Sequence, residues 1–388
     1  MKLVNRIASG IIAGVLLFSG TVSAAGSSAT DTQIKDPEWK ITLESKLDGF
    51  TEAPYYVPNS NMVYLQSYTL INSETKIWDV GVVTAADRTT GKVSWSYQFY
   101  QKGTPYPWRT SKFAYSKSGS VYALVSDALG TKLYSVNAQG KSNWTIPVPE
   151  VQDVYAMNDG TLLLVNRETP DSSGKFKVYA YNANGKKISE QSVGEMYAIA
   201  GGQYLISQVG KLGSSKLEVF GPKLNRLFTY TPPSGAVTYI NESSWVINNG
   251  DLLIRMNIPK SGNKLISLNA QGKTLWGRTI AGNASVQSVG QSYVVYENGE
   301  LKLFDAKGLI TKRNLKLSDP MHVILNTSDN KILVYSEDGR SIIDPNTLKA
   351  IYSYPFGQQV LEYYYAGDGY VYEIKDAYQL SLYKLAKL

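Results

Sequence analysis

Beyond the first two dozen residues, apolar and polar positions alternate with a period of two in short paired runs. Examples are 120–125 with 132–136, 161–166 with 177–181, 292–296 with 301–304, and 331–335 with 341–343. A period of two sends successive side chains to opposite faces and predicts β-strands. Turn formers separate the strands: Asp159-Gly160 opens one pair, while Glu297-Asn298-Gly299 and Glu337-Asp338-Gly339 divide two others. These are hairpin signals, because Asn, Asp and Gly accept the positive φ that primed turns require. Long helical periodicity is absent after the N-terminus. The same order of strand, turn, strand and turn then recurs along the chain.

Each repeat ends on a related stretch. The fullest version is Ala85-Ala86-Asp87-Arg88-Thr89-Thr90-Gly91-Lys92-Val93-Ser94-Trp95. Shorter echoes run from Asn137 through Gly140 to Trp144, and from Asn269 through Gly272 to Trp276. The Asp or Asn side chain caps its own turn, Gly takes the left-handed position, and Trp starts the next strand with a large apolar face turned to a neighbouring unit. Ala85, Asp87, Gly91 and Trp95 make the complete motif. It resembles the tryptophan-docking motif of PQQ-like repeats, the family of quinoprotein dehydrogenase propellers and of the assembly protein BamB. The resemblance spans nearly the whole mature chain and implies an all-β propeller.

Strand handovers fall at Trp39, Trp95, Trp144, Ile188, Phe228, Trp276, Arg313 and Tyr352, with intervals of 37 to 56 residues. That interval accommodates four short strands with their turns. A single propeller of about eight four-stranded blades follows, with seven as the alternative count because the units starting at Ile188 and Phe228 have degenerate turns. The uniform interval disfavours paired sandwiches, and four strands per unit disfavour a β-helix. The last unit offers only three strands, and the run 39–43 has no partner of its own. The N-terminal strand is therefore expected to complete the last blade and remove exposed edges.

The remaining features set the context. Lys2 and Arg6 precede an apolar stretch from Ile7 to Phe18 and a small-residue site at Val22-Ser23-Ala24. This is the pattern of a signal peptide over 1–24, followed by a polar leader over 25–35 and the propeller domain over 36–388. Cleavage would lower the formal net charge from +7 to +5 by removing two basic residues. There are no cysteines, so the mature chain is expected to fold without disulfides and without a lipidated anchor. Lys and Arg are scattered singly through turns, which disfavours a nucleic-acid partner. An exported, extracellular or envelope-associated monomer is the expectation.

Candidate chemistry is sparse. One histidine, His322, stands beside an apolar run and reads as a structural residue; zinc sites and a serine triad lack their parts. No metal or cofactor is expected. Asp153, Glu195, Glu242 and Glu362 fall near the first strands of blades, where carboxylates from different blades can meet at the axis. One loop, 100–110, departs from the minimal repeat with two prolines and two rings. Its Tyr106, Trp108 and Arg109 are candidates to stack on a sugar or clamp a peptide, the competing role being packing of Trp108 on the next blade. The expected function is noncatalytic binding of a protein, peptide or cell-envelope glycan at a rim or channel mouth. The alternative is a propeller enzyme, either a glycan lyase or hydrolase or a degenerate quinoprotein oxidoreductase, marked by convergent carboxylates or a tyrosine–arginine–carboxylate group.

Overall fold

The computed structural model describes residues 37–385 apart from 43–48, 51–53, 58–59, 73–76, 101–108, 168–174, 195, 212–214, 239–243, 247–249, 317–322, 328, 337–338, 355–360 and 376–378. Residues 1–36, which include the expected signal peptide and leader, lie outside them, as do Tyr106, Trp108, His322, Glu195 and Glu242. All described residues belong to the unit Ile34–Leu388. It is all-β: eight small antiparallel sheets form the blades of one propeller, which settles the count at eight.

Blades 2 to 7 follow the chain as four consecutive strands each, from Arg109–Tyr115 in blade 2 to Lys349–Tyr354 in blade 7. Blade 1 is more elaborate. Its innermost strand is divided into Gly49–Phe50 and Tyr55–Tyr56, both paired with Met62–Asn72. Blade 8 joins the chain ends, because Trp39–Thr42 pairs with Gln379–Lys384 in the register Trp39↔Leu382. The N-terminal strand thus supplies the outermost strand of the last blade.

Position within a blade sets the burial pattern. Second strands lie between neighbouring blades and bury both faces, so Val121–Asp127 and Tyr204–Val209 read as almost continuous buried runs. Outermost strands face solvent and retain partial burial at alternate positions, as at Trp95 and Tyr97 in Val93–Gln98. The core is therefore a circle of interblade clusters. One joins Val83 and Ala85 of blade 1 to Val121, Ala123 and Val136 of blade 2.

A β-bulge accompanies the passage into the outermost strand of blades 1 to 7, and it shifts two of the expected handovers. In blade 1 the register steps from Ala86↔Val93 to Ala85↔Trp95, skipping Ser94. The same step in blade 3 skips Ile188 and puts Ser189 opposite Ala180. In blade 6 it skips Thr311 and puts Lys312 opposite Leu303. Ser189 and Lys312, rather than Ile188 and Arg313, occupy the Trp position in their blades. The extra bulge residue reverses which side chain faces the neighbouring blade.

Candidate functional site

The Trp motif forms the joints between blades. Each indole lies on the turn that leads into the outermost strand of the next blade and donates its Nε1–H to a carbonyl there. The bonds are Trp39 to Arg88 O at 2.7 Å, Trp95 to Ala138 O at 2.9 Å, Trp144 to Ala183 O at 2.9 Å and Trp276 to Ala306 O at 2.8 Å. Beneath Trp95 sits Gly140 at φ +75°, where an added Cβ would fall 2.5 Å from the indole Cγ. Glycine is needed at that turn for both its backbone angle and the close approach. Phe228 covers Gly272 in the same way, without an N–H to donate. Asp87 accepts from the N–H and hydroxyl groups of both Thr89 and Thr90, while Asn137 and Asn269 accept two backbone N–H bonds each.

A second joint was not legible in the repeat. Tyr64, on the second strand of blade 1, donates to Gly119 O in the first turn of blade 2 at 2.5 Å, and Tyr204 of blade 4 donates to Gly250 O of blade 5 at 2.6 Å. Among the described residues, Tyr122, Tyr293 and Tyr372 hold second-strand positions in their own blades without this bond to the next blade's first turn. A tyrosine recurring soon after the first turn of a blade was the available signal.

Two junctions without a ring use a different device. Where Ser189 and Lys312 replace Trp, the glycine of the facing turn is replaced by leucine: Leu224 at φ 61° and Leu348 at φ 53°. Both are buried, Leu224 among Met157, Leu163 and Val178 of blade 3, and Leu348 among Val294, Leu301 and Leu303 of blade 6. Here the turn itself supplies an apolar side chain to the cluster that joins the two blades. Left-handed backbone costs a leucine about 1–2 kcal/mol, a cost that burial of its side chain, worth about 1.5–3 kcal/mol, offsets. Ser189 retains the polar half of the original joint by donating its Oγ–H to Lys223 O at 2.7 Å.

The innermost strands of blades 2, 3 and 4 bring together a polar cluster. Lys112 Nζ lies 3.6 Å from Asp153 Oδ1, Tyr197 donates its hydroxyl to Asp153 Oδ2 at 3.1 Å, and the Tyr155 and Tyr197 hydroxyls are 3.1 Å apart. Burial, then Tyr155 and Asp153, holds the Tyr197 phenol far above the ordinary tyrosine range. Burial raises Tyr155 as well, against the opposing bond from Tyr197. At neutral pH both phenols keep their protons. Asp153 was one of four carboxylates expected near the axis. Glu195 and Glu242 lie outside the described residues, and the Glu362 side chain does also.

Of the loop candidates, Tyr106 and Trp108 lie outside the described residues. Arg109 opens the strand Arg109–Tyr115, paired with Ser126, and its side chain is likewise outside. Lys112 is three residues further along that strand. Among the described residues no three His, Cys, Asp or Glu side chains converge.

Eight four-stranded blades, closure by the N-terminal strand and indoles seated on successive turns define a PQQ-like β-propeller. The chain belongs to the family described as outer membrane protein assembly factor BamB, whose model matches residues 7–208 and again 81–301. No curated protein matches the chain. Among solved structures it is similar to BamB from Moraxella catarrhalis, at 11% identity over 90% of this chain and 99% of that one, with a TM-score of 0.48. It is also similar to the β-propeller domain of the Trilobed protease from Pyrococcus furiosus, at 10% identity over 88% and 94%, with a TM-score of 0.46. A structure of prolyl endopeptidases matches at 12% identity over 85% of this chain and 55% of that one, with a TM-score of 0.49. What those proteins bind or cleave does not transfer to this chain at such distances.

Proposed function

We propose that the protein is exported and acts by binding, as a noncatalytic propeller scaffold that holds a protein, a peptide or a cell-envelope glycan at one rim or at the channel mouth. The N-terminal sequence supports export, and membership of the BamB family supports a scaffold. The observation that carries the reading is the set of indole joints made by Trp39, Trp95, Trp144 and Trp276, the feature this chain shares with BamB-type repeats.

The inner-strand cluster favours the alternative, because Lys112, Asp153 and Tyr197 bring a cation, a carboxylate and a tyrosine together across three blades, parts a glycan lyase uses for general acid–base work. One experiment separates the two. Thermal unfolding of residues 25–388 is followed against envelope glycans, peptides, and PQQ with calcium, and each glycan is assayed for cleavage with the wild type and Tyr197→Phe. A ligand at 100 times its dissociation constant adds about 2.7 kcal/mol of stability. A shift with a glycan or peptide and no cleavage supports the scaffold. Cleavage that Tyr197→Phe abolishes replaces it with the enzyme, and a shift with PQQ and calcium replaces it with an oxidoreductase.

A further inference from the structure

The junction between blades 3 and 4 is one of the two that lack a ring, and a groove of about 600 Å3 opens there. That volume lies within the roughly 300–1,000 Å3 of small-molecule sites. Its walls are two turns of blade 3, Asp159–Thr161 and Asn182–Asn184, and Lys223 from the facing turn of blade 4. Ile188 adds the apolar surface. It is the residue skipped at the bulge and stands 40% exposed. Ser189 reproduces only the hydrogen bond of the missing indole, and Leu224 is drawn into the core beneath, so the volume a ring fills at the Trp junctions is not refilled from within.

The lining has a definite chemistry. Asp159 Oδ1 accepts the Thr161 N–H, and Asn182 Oδ1 accepts the N–H groups of Asn184 and Lys186. Among the described residues, the second Asp159 oxygen, the Asn184 carboxamide and the Lys223 ammonium have no intramolecular partner. One carboxylate and one ammonium cancel, leaving donors and acceptors around an exposed aliphatic surface. An anionic polymer would meet Asp159 and a cationic one Lys223. Hydroxyls and N-acetyl groups suit all three polar side chains, and the C–H face of a sugar suits Ile188.

We propose that this groove is a subsite for one or two residues of an uncharged glycan. The inference rests on the binding reading above and selects its glycan branch. The test is isothermal titration of residues 25–388 with N-acetylglucosamine tetrasaccharide and with cellotetraose, for the wild type, Asn184→Ala and Ser189→Trp made together with Leu224→Gly. Asn184 is exposed in a turn, so its replacement leaves the fold intact; the added glycine gives the ring of Ser189→Trp the close approach seen at other junctions, so that the indole fills the groove. Saturable binding of one sugar by the wild type is expected, weakened at least fivefold by Asn184→Ala and lost in the double variant. Equal binding by wild type and the double variant overturns the subsite. Absence of saturable binding to either sugar overturns it too; a purified peptide ligand that then binds wild type and the double variant alike would leave the scaffold reading standing without it.

Discussion

Replacing Gly140 with alanine tests whether the indole joints are a major source of stability. Gly140 sits at φ +75°, and its new Cβ would fall 2.5 Å from Trp95 Cγ and 2.6 Å from Cδ2. The backbone alone costs about 1 kcal/mol for a residue with a Cβ in the left-handed region. The indole must also move, losing contact with the turn and its bond to Ala138 O, which adds about 1–3 kcal/mol. Gly160 supplies the control, with φ +85° and nothing within 4 Å of an added Cβ. Urea unfolding followed by far-ultraviolet circular dichroism should show Gly140→Ala costing about 2–4 kcal/mol and Gly160→Ala about 1 kcal/mol. Against a Trp95→Ala background, Gly140→Ala should retain only its backbone cost, giving a coupling of about 1–3 kcal/mol in the double-mutant cycle. Equal costs for the two glycines, or additivity in the cycle, would refute the docking argument.

Three further outcomes follow from the same geometry. Leu224→Ala should cost about 2–4 kcal/mol in urea unfolding although it lies in a turn, whereas Leu129→Ala, at a site 73% exposed, should stay within about 0.5 kcal/mol. Slight burial raises the Asp87 carboxyl, but the hydrogen bonds from Thr89, Thr90 and Asn61 outweigh it and lower the group to about 2. A depressed carboxylate stabilises above its unfolded value near 4, so melting temperature should fall between about pH 4 and pH 2, and Asp87→Asn should flatten that limb. Burial, helped by Tyr55, pushes the Tyr64 phenol up to about 12. Its contribution is complete below the unfolded value near 10 and is lost as pH rises towards 12; ultraviolet titration should show late phenolate absorbance that Tyr64→Phe lowers by one tyrosine's share.

The sequence by itself determined the architecture, because a propeller is written in local terms. Period-two runs specify strands, and the turn chemistry of Asp87, Asn137 and Asn269 specifies hairpins. The Trp-to-glycine relation needs only the next repeat, so Trp39, Trp95, Trp144 and Trp276 announced their joints in advance. The surplus strand at the N-terminus and the missing one at the C-terminus likewise predicted the closure through Trp39↔Leu382. The bulge was not legible, since inserting one residue leaves composition unchanged yet moves the joint from Ile188 to Ser189. Leu224 and Leu348 read as ordinary apolar residues in turns, and only the tertiary structure shows that each is buried in a cluster shared by two blades. Lys112, Asp153, Tyr155 and Tyr197 come from three repeats up to 85 residues apart, and the groove beside Ile188 is bounded by turns of two blades. Contacts of this kind depend on how blades are placed around the ring, which no local pattern encodes, so the tertiary structure decided where the candidate sites lie.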